Sequence, residues 1–239
     1  MPVSLTPISN RLLSNLPPVE YQQILTSCEK VELILGEVLC DPNEPYRFVY
    51  FPLTGFISLT ASVESHQTLE MSLIGNEGML GVTLILDVDV VAIHGAVQGS
   101  GSALRINRTR FQQLLNTSPT LQRRLKYYLF IVVAQLSQSA TCNHFHNIEP
   151  RLARWLLMTH DRAHSDRFYI THEVLSSMLG VRRSSISIAA SELRRKGLIN
   201  YARGEVNIIN RCGLEAASCK CYTDMTNTYQ ALLGSVDAS

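Results

Sequence analysis

Between Val181 and Glu192 the chain reads Arg182-Arg183-Ser184-Ser185-Ile186-Ser187-Ile188-Ala189-Ala190-Ser191. At helical spacing, Ile186, Ala190 and Leu193 share one side at i, i+4 and i+7. The other side carries Arg183, Ser184, Ser187, Ile188 and Ser191, with Arg182 and Ser185 at the start and no acidic residue before Glu192. A guanidinium can pair bidentately with guanine, a hydroxyl can bond a phosphate or a base edge, and an isoleucine can meet a thymine methyl group. A helix face that is merely solvated usually mixes Glu with Lys. The chemistry these side chains suit is contact with a DNA duplex.

Such a face works only if other elements hold it out. Upstream, Thr171 is a suitable N-cap and Glu173 lies in the first turn of a helix that keeps Val174, Leu175, Met178 and Leu179 on its apolar side. Gly180 can supply a sharp turn into the helix described above, which Arg194, Arg195, Lys196 and Gly197 are placed to finish. Two short helices joined at a glycine turn match a helix-turn-helix, whose second helix enters the major groove. Further on, 198–201 and 206–209 flank Ala202-Arg203-Gly204-Glu205, the pattern of a β-hairpin, which makes the module a winged helix. Residues 147–211 hold 11 basic and 6 acidic residues, a net +5 suited to phosphate contacts. Thr171, Arg182, Arg183, Ser184, Ser185, Ser187, Ile188, Ser191 and Arg203 are the candidate DNA contacts.

The 239 residues carry 21 Lys+Arg and 20 Asp+Glu, but that near-balance is a cancellation. Residues 1–100 hold 3 basic and 11 acidic residues, and residues 101–239 hold 18 and 9. Segregated charge points to two domains with different partners. A hydrophobic content of 46% excludes a disordered chain. No apolar run approaches the roughly 18 residues of a membrane span, and the start of the chain, with Pro2 and Pro7, lacks a secretory pattern. A cytoplasmic protein is expected, with its six Cys free of disulfides.

Residues 8–27 read as one or two short helices broken at Pro17-Pro18. From 31 to 106, short apolar runs punctuated by glycines, including Gly55, Gly75, Gly78, Gly81, Gly95, Gly99 and Gly101, indicate strands with turns between them, in an all-β barrel or sandwich. Phe111, Leu114 and Leu115 mark a short helix, and Pro119 starts a longer one. There Leu121, Leu125, Tyr128, Val132 and Leu136 recur at steps of four, three, four and four, the seam expected for a homodimer. A buried helix in a monomer is the alternative. Pro150 marks the start of a further helix.

With these residues in place, the chain resembles the Crp/Fnr family of bacterial transcription regulators over nearly its whole length. The resemblance is carried by Tyr50-Phe51-Pro52 with Gly55, by 74–81 and 103–106, by 179–187, and by Lys196-Gly197-Leu198-Ile199. It implies an α+β chain of three parts: a cyclic-nucleotide-binding-like β-roll, or jelly roll, over 1–118; a dimerisation helix over 119–147; and a winged helix-turn-helix over 148–239. It also implies a homodimer on pseudo-palindromic double-stranded DNA, a small-molecule effector at the β-roll, and RNA polymerase as a partner. Where the family's recognition helix carries Arg, Glu and Arg, this chain has Arg183, Ser184 and Ile188, so no target sequence carries over.

The possible effector pocket falls on Gly81, Val82, His94 and Ala96. Family members that bind cyclic AMP place a Gly-Glu pair and an Arg-Ser/Thr-Ala run there. Here Val82 follows Gly81, the later stretch reads Ile93-His94-Gly95-Ala96, and no Arg occurs between Arg47 and Arg105. A buried phosphodiester needs a cation or several amide donors, which argues against cyclic AMP. An iron–sulfur cluster would find only Cys28 and Cys40 before Cys142. A haem would have His94 or Pro2, and a lone His in a β-domain is more often packed or at the surface. Three constellations suggest a metal: Cys142, His144 and His146; His160 and His164; Cys219 and Cys221. Each is incomplete or awkwardly spaced, so neither a metal nor a cofactor is expected. Walker, GxSxG, HExxH and GxGxxG patterns are missing, and an enzyme is not expected. The other function class that remains open is a ligand- or cyclic-nucleotide-binding module whose helix-turn-helix makes protein contacts.

Overall fold

The computed structural model describes residues 9–63 and 67–234, so Pro2 and Pro7 lie outside the described residues. The chain divides into two compact units. One holds residues 9–57, 74–130 and 232–234, and the other holds 58–63, 67–73 and 131–231.

The first unit opens with α1 (Arg11–Ser14) and α2 (Pro18–Leu25), separated at Pro17-Pro18 because proline is tolerated only in a helix's first turn. Asn10 caps α1 and is itself buried: its Oδ1 accepts from Leu12 N, and its Nδ2 donates to the Pro52 and Gly78 carbonyls at 3.0 and 2.8 Å. Strands β1 (Glu29–Leu33) and β2 (Val38–Cys40) pair antiparallel with β5 (His94–Asn107), in register Glu29↔Arg105 and Val38↔Ala96. The sheet order is β1-β5-β3-β4, with β3 Phe48–Val63 and β4 Gln67–Ile74. A 3₁₀ turn, Val82–Leu86, and α3 (Arg108–Thr117) complete the unit's cover. Phe51, Ile57, Met79, Leu84, Ile106 and Phe111 fill its core, with Phe51 and Phe111 edge to face at 6.1 Å.

Several glycines expected at turns lie instead inside long strands. Gly55 is within β3, and Gly95, Gly99 and Gly101 are within β5. A Cβ at Gly55 would stand 2.4 Å from the Gly99 carbonyl oxygen, and one at Gly101 would stand 2.2 Å from that of Thr54. Backbone meets backbone here, and only glycine fits; Gly55 also has φ +72.

Helix α4 (Pro119–Phe145) is one continuous element. Three of its five expected seam residues turn inward: Leu121 and Leu125 are 0% exposed and Tyr128 is 3% exposed. Arg124 Nε donates to the Leu12 carbonyl and Leu121 N to Glu20, which holds the start of α4 against its own chain. The seam reading is corrected for these three residues, because a side chain already enclosed by its own monomer has no surface to offer a second copy.

The second unit is built on α5 (Ile148–Ala163), followed by β6 (Arg167–Tyr169), α6 (His172–Leu179), α7 (Arg183–Arg195), β7 (Ile199–Ala202) and β8 (Glu205–Ile208). The three strands order β6-β8-β7. Arg203 (φ +52) and Gly204 (φ +85) form the two-residue turn between β7 and β8, the left-handed pair that matches strand twist. Two further helices, α8 (Arg211–Ala217) and α9 (Cys221–Leu233), extend beyond the wing. No helix among the described residues is long and apolar enough to cross a membrane.

In this unit Glu70 on β4 accepts from Ser58 Oγ and from Trp155 Nε1, each at 2.7 Å. Burial pushes its carboxyl up to about 7, and the two hydrogen bonds and the nearby Arg162 and Arg154 offset only part of that rise. A pKa raised by folding favours the native state while the carboxyl is protonated, and this contribution is lost as pH rises through about 7. Between about pH 5 and 8, wild-type stability is expected to fall by about 1–3 kcal/mol more than that of Glu70→Gln. Thermal melts of both proteins across that range check the difference.

Candidate nucleic-acid interface

The helix-turn-helix is assembled as its caps dictate. Thr171 Oγ1 accepts from Val174 N at 3.2 Å to start α6, and Gly180 at φ +63 ends it. Arg182 is the extended N-cap of α7. Ile186, Ala189, Ala190 and Leu193 are buried, and α7 packs on α5 and α6. Ala189 was not among the expected inward residues; it lies one position from Ala190 on a stripe wider than three side chains. Gly197, at φ +69, follows the end of α7.

The opposite face is open. Arg182, Arg183, Ser184, Ser191 and, at the wing tip, Arg203 are exposed, and Ile188 stands 71% exposed. Ser185 and Thr171 are half-buried. Ser187 is already engaged, within 3.0 Å of His172 Nδ1 and 3.2 Å of the Arg183 carbonyl. Among the described residues, no carboxylate pairs with Arg182, Arg183 or Arg203, whereas Arg195 is paired with Glu192, and Lys196 with Glu149. Unpaired cations thus stand at the start of α7 and the wing tip, whereas at its C-terminal end Arg195 and Lys196 are neutralised and Arg194 alone is unpaired among the described residues.

Two aromatic rings missed in the sequence stabilise this face. His172 stacks on Tyr201, with centroids 4.5 Å apart and planes 7° from parallel, and Tyr201 OH donates to the Ile170 carbonyl at 2.8 Å. One contact chain therefore joins the start of α6, the middle of α7 and the wing strand β7. Burial, with Arg183 nearby, pushes the His172 imidazole pKa down and so favours the neutral ring. The spacing from 172 to 201 has no local period that would reveal such a stack.

The residues expected at an effector pocket each have a defined place in the first unit. Gly81 adopts φ +96 at the start of the 3₁₀ turn, and a Cβ there would meet Val49, Leu84 and Tyr46. Val82 is buried, His94 Nδ1 lies 2.7 Å from Asp41 Oδ1, and Ala96 sits in the ladder opposite Val38. A cleft of about 370 Å³ in the same unit is lined instead by Pro45, Tyr46, Arg47, Phe48, Asn107, Arg108 and Thr109. Arg108 is there paired with Asp89. Burial pushes the Cys28 and Cys40 thiols up to about 12 and about 11, which disfavours the thiolate needed to hold a cluster.

The three metal constellations are rearranged by the fold. His144 is exposed, His160 bridges Asp166 and Arg211, and His164 ends α5 in the left-handed region. Cys142, His146, Cys219 and Cys221 come together, their ligand atoms all within 4.8 Å of one another. Hydrogen bonding from Cys219, aided by Arg154, pushes the Cys142 thiol down to about 5, and Cys219 as the donor is pushed up. Residues from two of the three constellations thus form one set, which neither constellation contains by itself. Cys142, in the last turn of α4, and His146, just past its end, are four apart, a spacing visible in the sequence, but their partners lie beyond the wing.

Residues 150–217 match the family of Crp-like helix-turn-helix domains. No curated protein matches the chain. Among solved structures, FixK2 from Bradyrhizobium japonicum superposes with a TM-score of 0.68 at 14% identity, covering 80% of this chain and 98% of that one. CLP, the c-di-GMP-responsive global regulator of Xanthomonas campestris, gives 0.65 at 16%, with 80% and 99% covered. The CRP/FNR-family regulator TTHA1359 from Thermus thermophilus gives 0.65 at 20%, with 80% and 98% covered. Fold and interface together define a helix-turn-helix DNA-binding protein. More narrowly, residues 150–217 form a Crp-like helix-turn-helix domain, and the chain shares the fold of Crp/Fnr-family structures. CLP and TTHA1359 are regulators.

Proposed function

We propose that the protein acts in the cytoplasm as a homodimer on pseudo-palindromic double-stranded DNA, inserting α7 into the major groove and resting the β7–β8 wing on the adjacent backbone. The observation that carries this reading is the exposed face of Arg182, Arg183, Ser184, Ile188 and Ser191, whose cations lack carboxylate partners. In this role Arg183 and Ile188 read base edges, Arg182, Ser185 and Thr171 contact phosphates, and Arg203 does so from the wing. Ser187 serves mainly to position α7 through His172.

A dimer is supported by a stripe of α4 that keeps only Val132 and Leu136 of the five heptad residues. Tyr127, Phe130 and Val133 are 43%, 60% and 54% exposed, and with half-buried Val132 and Leu136 they offer an apolar face to a second copy. The first unit serves as the sensor. The absence of Arg and Lys from the sequence between Arg47 and Arg105, the stretch that holds Gly81, Val82, His94 and Ala96, supports a signal other than cyclic AMP, and RNA polymerase is the partner through which binding acts on transcription.

Arg183→Ala is expected to weaken binding to a selected operator by about 1–3 kcal/mol and to flatten base preference at one position of each half-site. Arg203→Ala should weaken all sequences alike and shallow the salt dependence by about one unit of slope. Binding-site selection from random DNA, followed by salt titrations on the recovered site, measures both; an unchanged base preference in Arg183→Ala rejects its assignment. Phe130→Glu with Val133→Glu should give a monomer by light scattering with reduced DNA affinity, while Leu125→Glu should unfold the first unit. A double variant that remains dimeric overturns the proposed seam.

A further inference from the structure

Four potential ligands converge at the end of α4 and the start of α9. Cys142 and His146 lie one turn apart at the end of α4, Cys219 lies just before α9, and Cys221 is its first residue. Cys142, Cys219 and Cys221 are 0%, 7% and 1% exposed. The Cys142 and Cys219 sulfurs are 3.5 Å apart, as are Cys221 Sγ and His146 Nδ1. A tetrahedral zinc ion, with bonds of about 2.3 Å to sulfur and about 2.0 Å to nitrogen, needs ligand atoms about 3.5–3.8 Å from one another. Two pairs already have that spacing, and the widest separation in the set is within 4.8 Å.

The surroundings favour a thiolate centre over three cysteines used as small apolar filler. Arg151 and Arg154 are buried at 6% and 5% exposure, and the Nε of each lacks a hydrogen-bond partner. Arg154 Nη1 turns to the thioether sulfurs of Met158 and Met225, which are weak acceptors. Buried guanidiniums call for an anion nearby. Three thiolates and an imidazole on a divalent cation carry one net negative charge, which supplies it. Gln138 Nε2 donates to Cys221 Sγ at 2.9 Å, the outer contact that orients a sulfur ligand. Core cysteines used only for packing would need neither an imidazole nitrogen aimed at a sulfur nor an amide donor.

We infer that Cys142, His146, Cys219 and Cys221 form a structural zinc site that fastens the C-terminal helix α9 to the end of α4. The paired ligands flank residues 150–217, the segment that carries the helix-turn-helix and wing. The ion closes that segment at its base, and Cys219 N, donating to the Pro150 carbonyl at 3.4 Å, already brings the two ends together. Binding deprotonates the thiols, releases their protons to solvent and involves no change of oxidation state.

Full-length protein purified in reducing buffer without chelators should contain about one zinc per chain by elemental analysis. Exchange with Co²⁺ should produce sulfur-to-cobalt charge transfer in the near ultraviolet and the intense red-region bands of tetrahedral cobalt. This readout needs no variant. Cys219→Ser with Cys221→Ser should drop the zinc content below about a tenth of an equivalent, while Cys28→Ser, Cys40→Ser and Cys212→Ser together should retain it. Reduced protein that takes up no added Zn²⁺, a pale octahedral cobalt spectrum, or metal-free protein with a Cys142–Cys219 disulfide by mass each overturns the site. None of these measurements involves DNA, so they stand or fall independently of the functional proposal.

Discussion

Burial of α5 constrains the whole second unit. Ten of its residues are buried, and three of them, Arg151, Arg154 and Arg162, bring positive charge into the interior. Taking a guanidinium from water is so unfavourable that its surroundings must supply acceptors, and each of these three imposes local structure. Arg151 donates to Asn143 and to the Leu179 carbonyl at the end of α6, which holds the turn before α7. Arg162 donates to the Met158 carbonyl on its own helix. Arg154 faces the thiols and thioethers near α9. Trp155, from the same helix, donates to Glu70 on β4.

The exposed face of α7 inherits its rigidity from that core. Its inner residues rest on α5, its first turn is set by the Arg151-braced turn, and its middle is tied to α6 and the wing by His172 and Tyr201. Contacts to bases tolerate little misplacement, so a recognition helix fixed on three sides loses less entropy on binding than a mobile one. The charge arrangement complements this. At the C-terminal end of α7, Arg195 and Lys196 are paired with Glu192 and Glu149, whereas Arg182 and Arg183 at the start, where they oppose the helix dipole, have no carboxylate partner among the described residues. Local stability would not place them there, whereas phosphate and guanine recognition would.

Much of this was legible in residue order. Thr171, Gly180, Gly197 and the Arg203-Gly204 pair each demand a particular backbone conformation, and each adopts it. Pro17-Pro18 and Pro119 delimit helices for the same reason. The β-region was recognisable as strands, but Gly55, Gly99 and Gly101 were misplaced as turns: glycine serves a bend and a close backbone crossing equally well, and only the partner strand distinguishes them. The heptad on α4 was real, yet it marked a buried stripe. Periodicity identifies an apolar face without stating what covers it, so Leu121, Leu125 and Tyr128 could not be told from seam residues.

The order of residues alone determined the helix-turn-helix, the wing and the cationic face of α7, because caps, turns and helical periodicity act within a few residues of one another. Tertiary structure decided everything that depends on distant segments meeting. It enclosed one stripe of α4 and exposed Phe130 and Val133, and it stacked His172 on Tyr201. It also gathered Cys142 and His146 with Cys219 and Cys221 across the entire winged helix. Each thiol and imidazole is unremarkable in sequence, and their chemistry arises only when packing removes water and brings four donor atoms to within the span of one ion.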